Sequence, residues 1–339
     1  MSRKDKKMLK DDVLKLISRE NDYISGETIS HKLGVSRAAV NSAVKALREE
    51  GFEIVSSTNK GYLLTNSPDI LSKGSIAALL PDTRDKDLYV YGSVTSTNTV
   101  LKDLSSNGAP SGTVVIADHQ TGGKGRRGRS FVSPSGAGIY LSYLFKPESG
   151  FDKISDLTSW TAVAVADAIK NSYGLDSQIK WVNDLLINRK KICGILTEVS
   201  VEGESGFIDT CIIGIGINVN EAATDFPPEV SGIATSISIE NGGEKFSRCK
   251  LASEVILSMD KLKENWPDSS YYLERYRELN ITAGSKVTAF PLMIENGQGR
   301  TGTAVGINDD FSLKVRFDDG SVQDLKNGEV SVRGLYGYT

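Results

Sequence analysis

Apolar residues in the N-terminal part of the chain recur at helical spacing before they change to the alternation of strands. The segment 11–20 puts its apolar side chains on one helical face, and a second helix is predicted to begin after Gly26. Residues 35–51 predict a third amphipathic helix, with Ser36 as its N-cap and Gly51 just past its end.

Two strand-like segments, 52–57 and 61–65, follow these helices and flank a turn at Thr58–Gly61 that predicts a hairpin. Three helices and a hairpin in this order predict a winged helix-turn-helix over residues 1–65. This segment has twelve Lys/Arg and nine Asp/Glu, a net charge of +3, whereas the whole chain carries −3. The local positive charge favours DNA as the partner of this domain. A winged helix used for protein contacts is the alternative.

The polar side of the third helix carries residue types that read bases or bind phosphates in the major groove of DNA. The residues that we predict to contact DNA are Ser36, Arg37, Asn41, Ser42, Lys45, Arg48 and, in the hairpin turn, Lys60.

Residues 66–282 mix strands and helices irregularly, and several predicted strands follow one another without a helix between them. This order favours a mixed or antiparallel sheet over a doubly wound one. Residues 178–187 are predicted as one of these strands. Residues 283–339 form short strands separated by turns, which predict a small β-barrel-like domain. The chain is therefore expected to be an α+β protein of three domains, with boundaries near residues 65 and 282.

Composition excludes several classes of protein. No apolar run approaches the roughly 20 residues of a membrane span, and the charged N-terminus has no apolar core behind it, so we expect no signal peptide. Cys193, Cys211 and Cys249 lie far apart, which is typical of a reduced, cytoplasmic protein and not of a disulfide framework or zinc site. With two histidines, a His-rich metal site is not expected.

The segment GGKGRRGRS, residues 122–130, contains four glycines and four basic residues. It fails the P-loop pattern, because Asp118 stands at the position of the first glycine and Gly125 at that of the hydroxyl residue. It matches the spacing of a dinucleotide fingerprint, but a strand follows it where that fold needs a helix. Glycines let a loop close over a ligand, and arginine forks match phosphates. A solvated basic loop is the alternative.

Three other segments place polar residues at the ends of apolar runs. In SVTSTNTV the polar residues at 96–98 could bind a ligand or merely cap a helix. In KWVNDLLINRKKICG the polar residues could form a site or a buried ion pair. In GIGINVN the glycines could mark a site or a bulge.

In combination, the motifs STN, Q-x-x-G-K-G-R-R-G-R, KWVND, K-x-x-G and GIGIN resemble those of the biotin protein ligase family. The winged helix in front makes the chain similar to the bifunctional subset, the biotin operon repressors, and the resemblance covers nearly the whole chain. It implies a central domain related to class II aminoacyl-tRNA synthetases and lipoate ligases, and a C-terminal SH3-like barrel. It also implies that biotin and ATP form biotinyl-5′-AMP, from which biotin passes to a lysine of a carboxylase's biotin carrier protein.

The resemblance implies roles for particular residues. The implied biotin site consists of Ser96, Thr97, Asn98, Gln120, Gly123, Lys124, Gly125, Arg126, Lys191, Gly194 and Gly214. The implied ATP and adenylate site consists of Arg126, Arg127, Arg129, Phe131, Lys180, Asn183, Asp184 and Asn218. Catalysis is expected to depend on Lys191, Arg126, Lys180 and Asp184, with Asp184 a candidate contact for Mg²⁺. The family also implies a homodimer when the adenylate is bound, which a symmetric operator requires.

The sequence departs from the family pattern at Val182, where proline is usual, at Lys124, where arginine is usual, and at Phe131, where tryptophan is common. Two alternatives of another class stay open: a biotin-responsive transcription factor without ligase activity, and a lipoate-type ligase. Retention of Lys191, Lys180 and Asp184 argues against the first. The basic loop and the fused winged helix argue against the second.

Overall fold

A computed structural model describes residues 3–202, 207–291, 299–327 and 330–334. The N-terminal domain contains α1, Arg3–Ser18, α2, Gly26–Leu33, α3, Arg37–Glu49, and the antiparallel hairpin of β1, Glu53–Ser57, and β2, Gly61–Asn66. The prediction of three helices followed by a hairpin is confirmed.

The ends of α3 follow from its sequence. Ser36 Oγ accepts a hydrogen bond from the Ala39 amide at 3.2 Å, as expected of an N-cap. Gly51 has a φ of 97°, the left-handed conformation that glycine adopts without steric cost just after a helix. The apolar side of α3, which includes Val40, Val44 and Leu47, packs fully buried into the core of this domain.

The winged helix is attached to the next domain by polar contacts as well as by the chain. Helix α4, Lys73–Ala78, follows the linker. The Arg19 guanidinium donates to the carbonyl oxygens of Ala77, Ala78 and Leu80, which lie at the end of α4 and just after it. Arg19 also pairs with Asp82 at 2.6 Å.

The central domain is built on a seven-stranded mixed sheet in the order β3-β4-β5-β9-β8-β7-β6. Its strands are β3, Leu88–Val94, β4, Val114–Gln120, β5, Ile139–Phe145, β6, Gln178–Lys180, β7, Asp184–Ile187, β8, Lys190–Glu202, and β9, Phe207–Ile217. Strands β3 and β4 are parallel, and the other neighbours are antiparallel. The predicted mixed sheet is confirmed.

The prediction of one strand over 178–187 is wrong. Residues 181–183 form a turn, so β6 and β7 pair with each other as a hairpin, with Lys180 opposite Asp184. The Trp181–Val182 peptide bond in this turn is cis. The segment contains neither glycine nor proline, and its apolar character belongs to both short strands, so the sequence pattern gave no sign of the reversal.

Helices cover the sheet. They are α5, Thr97–Ser106, α6, Leu157–Tyr173, α7, Pro228–Ser231, α8, Ile237–Glu240, α9, Arg248–Asn265, and α10, Ser270–Leu279. Helix α6 is buried on nearly all sides, because it lies between the sheet and helices α9 and α10. Tyr272 of α10 stacks on Trp160 of α6 with ring centroids 4.5 Å apart. None of the helices described is long and apolar enough to cross a membrane.

The C-terminal domain is a five-stranded antiparallel sheet in the order β13-β12-β11-β10-β14. The strands are β10, Lys286–Pro291, β11, Arg300–Ile307, β12, Leu313–Phe317, β13, Val322–Leu325, and β14, Val330–Gly334. The predicted short strands are confirmed. Closure into an SH3-like barrel stays a prediction, and residues 335–339 of the predicted domain lie outside the described residues.

Candidate active site

A cavity of about 480 Å³, part of it open to solvent, lies on the central sheet beneath the basic loop. Its walls come from the start of α5, the end of β4, the loop 122–131 and the middle of β5, β8 and β9. Its lining residues are Ser96, Thr97, Asn98, Gln120, Lys124, Gly125, Arg126, Phe131, Tyr140, Leu141, Asn183, Lys191, Gly194, Ile195, Leu196, Gly214, Ile215 and Gly216. Twelve residues of the predicted biotin and adenylate sites thus meet in one place.

The N-terminus of α5 is held by Gln120 at the end of β4. Gln120 Oε1 accepts from the Thr97 amide at 2.8 Å and from Thr97 Oγ1 at 3.2 Å. Its Nε2 donates to Ser133 Oγ at 3.0 Å. Ser96 occupies the N-cap position, but its side chain makes no capping bond in the described structure. The alternative that Ser96 is there to cap the helix therefore loses its support.

Asn98 is fixed in orientation by neighbours on both sides of its amide. Its Nδ2 donates to Glu198 Oε2 at 2.6 Å, and its Oδ1 accepts from Ser142 Oγ at 2.6 Å. Ser142 Oγ also lies 2.7 Å from Thr97 Oγ1. Thr97, Asn98 and Ser142 are buried and form a connected polar network, which gives this wall a fixed pattern of donors and acceptors.

Glycines on β9 make room for this wall. A Cβ at Gly214 would lie 2.5 Å from Asn98 Oδ1, and one at Gly216 would lie 2.6 Å from the Phe131 ring. Real Cβ atoms do not come so close to other heavy atoms, so side chains at these positions would displace their neighbours. The alternative of a simple glycine bulge is not supported, because β9 stays in register with β5 through both glycines. We call the wall formed by Thr97, Asn98, Gln120, Ser142 and the β9 glycines the polar wall.

The basic loop folds back on itself above the polar wall. The Gly125 amide donates to the Arg129 carbonyl at 2.7 Å, and the Phe131 amide donates to the Gly123 carbonyl at 2.9 Å. Arg127 has a φ of 61° and Gly128 one of 71°, which turns the tip of the loop. Lys124, Arg127 and Arg129 are exposed, so most of the positive charge of the loop faces solvent.

Arg126 differs from the other basic residues of the loop because its guanidinium points inward. Nη1 donates to Asn183 Oδ1 at 2.7 Å, and Nη2 donates to Asn327 Oδ1 at 3.1 Å. Burial of the guanidinium lowers its pKa, an effect that the nearby Asp184 carboxylate partly offsets. Asn183 is itself held by its Nδ2, which donates to the Ile195 carbonyl at 3.0 Å.

Lys191, near the start of β8, also lines the cavity. Its Nζ is 2.6 Å from Asp184 Oδ1, and the two side chains are 23% and 14% exposed. This pair matches the alternative of a buried ion pair, but it stands at the edge of a cavity in which Lys191 is also a lining residue. The ammonium is therefore accessible to an anionic ligand while its orientation is fixed by the carboxylate.

Several predicted residues lie elsewhere. Asn218 is buried just after the end of β9, where its Nδ2 donates to the Thr235 carbonyl at 2.9 Å, and it does not line the cavity. Gly123, Arg127, Arg129, Lys180 and Asp184 also do not line the cavity. Gly123 has a packing reason, since a Cβ there would lie 2.4 Å from the Phe131 carbonyl oxygen.

Sequence reasoning missed other residues of the site. Tyr140, Leu141, Ile195, Leu196 and Ile215 line the cavity from within strands. The only signal was the alternation of those strands, which does not tell a cavity from a packed core. Arg248, 1% exposed, was also missed: it pairs with Asp69 in the linker and with Asp118 on β4, at 2.8 and 2.7 Å.

The predicted DNA-contacting residues lie together on the exposed side of α3 and in the hairpin. Ser42 Oγ donates to the Ala38 carbonyl within the helix. Arg48 donates from Nε and Nη2 to the Ile54 carbonyl of β1, at 2.8 and 2.6 Å, which ties the helix to the hairpin. Lys60 lies over the Tyr23 ring, 5.6 Å from its centroid.

The chemistry of the cavity is that of an anion site beside a polar wall. Cationic donors from Lys191 and Arg126 converge on a hollow whose opposite side offers ordered amides and hydroxyls. Such a site can bring two negatively charged groups together and stabilise charge that develops between them.

Comparison with known proteins gives results for both halves of the chain. Residues 90–218 match the Biotin/lipoate A/B protein ligase family, and residues 10–63 match an HTH domain. "Bifunctional ligase/repressor BirA" of Bacillus subtilis is 36% identical over 316 residues, which cover 92% of this chain and 95% of that protein. The protein of the same name from Escherichia coli is 29% identical, covering 94% and 97%.

A solved structure of biotin protein ligase from Aquifex aeolicus, in complex with biotin and ATP, has the same fold with a TM-score of 0.63. It is 27% identical and covers 74% of this chain and 99% of its own.

Proposed function

The chain belongs to the family of bifunctional biotin ligases and repressors, and on that premise we propose that it activates biotin with ATP and transfers it to a lysine of a biotin carrier protein. We also propose that it binds operator DNA to repress biotin genes. The observation that carries the ligase proposal is the convergence of the polar wall, Lys191 and Arg126 on one cavity. We assign this chain to the cytoplasm, where its bacterial relatives would meet their carrier protein.

In this proposal the biotin ring system binds the polar wall. The fused rings of biotin carry one urea group, which has two N–H donors and one carbonyl acceptor. When these groups are buried, they need hydrogen-bond partners of fixed orientation. Ser96, Thr97 and Asn98 supply hydroxyl and amide groups there; Gln120 holds Thr97 in place, and Ser142 holds Asn98. The valeryl carboxylate then extends toward Lys191.

Adenylation joins the biotin carboxylate to the α-phosphate of ATP and releases pyrophosphate. The two reactants repel each other, so the protein must neutralise and position them, and no protein nucleophile is needed. Lys191 orients the carboxylate, Arg126 contacts the phosphate, and the basic loop closes over biotinyl-5′-AMP. Because the mixed anhydride hydrolyses in water, a closed loop preserves it until the acceptor lysine arrives.

Mg²⁺ would enter with the triphosphate. The described residues contain no group of three or more His, Cys, Asp or Glu that could hold a metal ion. Mg²⁺ keeps water and phosphate oxygens as ligands and needs as little as one protein carboxylate. Asp184 is the carboxylate that we assign to it, and the ion would supply charge neutralisation at the phosphates.

One experiment separates the ligase from its alternatives. The protein is incubated with ATP, labelled biotin or lipoate, and a biotin carrier domain. We expect label on the carrier with biotin and ATP together, and none with lipoate. Label from lipoate would indicate a lipoate-type ligase. No label, combined with DNA binding that responds to biotin, would indicate a transcription factor without ligase activity.

The repressor activity depends on the winged helix, where Arg37, Asn41 and Lys45 face solvent on α3. We propose that adenylate binding promotes a homodimer that matches a symmetric operator. A gel shift should show higher DNA affinity when biotin and ATP are supplied. Equal affinity with and without both ligands would contradict the repressor proposal and leave the ligase proposal intact.

Lys45→Ala should weaken DNA binding without changing biotin transfer. The salt dependence of the binding constant should fall by the amount expected for about one lost phosphate contact. Ligase activity that fell together with DNA affinity would contradict the separation of the two sites.

A further inference from the structure

The guanidinium of Arg126 is held by two side-chain amide oxygens that come from different domains. Asn183 belongs to the turn between β6 and β7 in the central domain, whereas Asn327 follows β13 in the C-terminal sheet, 201 residues from Arg126. The ligase chemistry proposed above assigns no role to the C-terminal sheet. Its contact with the one inward-pointing arginine of the loop therefore needs an explanation.

The C-terminal sheet is fixed firmly enough to position a side chain in the active site. Trp181 Nε1 donates to the Phe311 carbonyl at 2.9 Å, in the turn before β12. The Phe311 ring packs edge-on against Tyr276 of α10, with centroids 5.4 Å apart. Arg277 of α10 donates to the Ile307 carbonyl at 2.9 and 3.0 Å from two nitrogens. The Trp181 contact joins the sheet to the same turn that carries Asn183, and the other contacts join it to α10.

Amide oxygens have a particular advantage as partners of this arginine. An amide accepts a hydrogen bond and so fixes the direction of the fork, but it carries no charge and leaves the guanidinium positive. A carboxylate in the same place would neutralise the charge that an anionic ligand needs. Burial disfavours the charged form of Arg126 and lowers its pKa. A phosphate ligand would stabilise this poorly solvated cation strongly.

We propose that Asn327 is a positioning residue of the ligase reaction: its amide oxygen, supplied by the C-terminal sheet, holds Arg126 in the closed position over the adenylate without neutralising it. The proposal rests on the ligase function proposed above. It makes the C-terminal sheet part of the closed active site.

The test compares three variants of the full-length protein. Asn327→Ala removes the amide, Asn327→Asp keeps the size and adds a charge, and Gln323→Ala is the matched control. Gln323 lies on β13 of the same sheet and its amide oxygen also accepts from an arginine, Arg300, at 3.4 Å on the exposed surface. Each protein is loaded with biotin and ATP, and we measure the release rate of biotinyl-5′-AMP, kcat, and the KM values for ATP and biotin.

We expect Asn327→Ala to release the adenylate about tenfold faster, as the loss of one hydrogen bond to a charged group predicts, with the KM for biotin unchanged. Asn327→Asp should release the adenylate faster than Asn327→Ala does. It should also raise the KM for ATP, because its carboxylate competes with the phosphates for Arg126. Gln323→Ala should match the wild type. In an Arg126→Gly background, Asn327→Ala should add little, because its partner is already gone.

The results that would overturn the proposal are distinct. Unchanged adenylate release in Asn327→Ala, or wild-type kinetics in Asn327→Asp, would show that Asn327 does not position Arg126. A lower melting temperature with unchanged kinetics would assign Asn327 a structural role only. If the wild-type protein forms no adenylate, the proposed function fails, which is a separate outcome from a working enzyme that is insensitive to Asn327.

Discussion

The two sides of the cavity are built in opposite ways. The polar wall is buried and its groups are already bonded to one another, from Gln120 through Thr97 to Ser142 and Asn98. The basic loop on the other side is largely exposed and rich in glycine. Its Arg126 donates hydrogen bonds to residues of other segments. In the proposed function, one side is a fixed surface and the other is a movable cover.

This difference fits two different tasks. Recognition of a neutral ring system needs donors and acceptors whose positions do not change, since a misplaced buried amide costs affinity. Retention of a labile adenylate needs a cover that closes after the substrates enter and opens for the acceptor. Changes to the wall should therefore alter biotin affinity, whereas changes on the cationic side should alter the rate and the lifetime of the adenylate.

The largest effect is expected at Lys191. Lys191→Met removes the ammonium beside Asp184 and should lower the rate of adenylate formation about 100- to 1000-fold, the cost of losing a charged donor to a developing negative charge. Biotin affinity, measured by calorimetry, should change much less, because the polar wall is intact. Lys190→Met, at the exposed neighbouring position, is the control. A large loss of biotin affinity with an unchanged rate would reverse the roles of the two sides.

Gly214→Val should reduce biotin affinity about 100-fold. The new Cβ would lie 2.5 Å from Asn98 Oδ1, so the Asn98 amide must move and the network with Ser142 is broken. Gly92→Ala on β3 is the control, because a Cβ there meets nothing within 4 Å. Calorimetry with biotin in the absence of ATP gives the affinity. Wild-type affinity in Gly214→Val would show that the wall adjusts and is not a fixed surface.

Arg126→Gly should speed the release of bound adenylate about 10- to 100-fold, since the cover loses its charged contact and its two amide partners. Biotin affinity without ATP should be nearly unchanged. Arg126→Lys keeps a charge but lacks the planar fork that donates both hydrogen bonds. Its rate of adenylate release should therefore fall between those of Arg126→Gly and the wild type. An unchanged release rate in Arg126→Gly would refute the role of the loop as a cover.

The smallest effect is expected on the free energy of unfolding, through the buried Glu221. Glu221 is 2% exposed and lies 3.5 Å from the Tyr140 hydroxyl, and burial raises the pKa of its carboxyl group to about 7. Between about pH 4.5 and 7 the unfolded chain loses a proton that the folded protein keeps, so this group makes stability fall as the pH rises through that range.

Glu221→Gln should therefore raise the free energy of unfolding by about 1–3 kcal/mol at pH 8 and by little at pH 4.5, as read from denaturant titrations at both pH values. Biotin affinity should not change. Equal effects of the substitution at both pH values would show that Glu221 is ionised in the folded protein.

The comparison also shows what could be predicted from the sequence. Residues 96–98 of the polar wall and the basic loop, residues 122–130, could be predicted because each is one short segment of the sequence, whereas Ser142 of the same wall was not predicted. The winged helix was found for the same reason, since helix periodicity and the cap at Ser36 are local. Local patterns of this kind predict the structure correctly because they depend only on residues that are neighbours in the chain.

What the sequence could not show depends on distant contacts. Helix α10 was not predicted although Tyr272 and Tyr276 repeat at helical spacing, because five aromatic and apolar residues in a short polar segment are a weak signal. The role of Asn327 arises only when the C-terminal sheet meets the basic loop. The Arg248 cluster likewise joins residues 69, 118 and 248, which no pattern in the chain connects.

The central claim is that the cavity forms biotinyl-5′-AMP and holds it under the loop. The most direct measurement is to incubate the protein with ATP and labelled biotin, remove free ligand by rapid gel filtration, and then add a biotin carrier domain. The account predicts one labelled adenylate per cavity after filtration and its quantitative transfer to the carrier without further ATP. Loss of all label on filtration, or label that the carrier cannot accept, would contradict it.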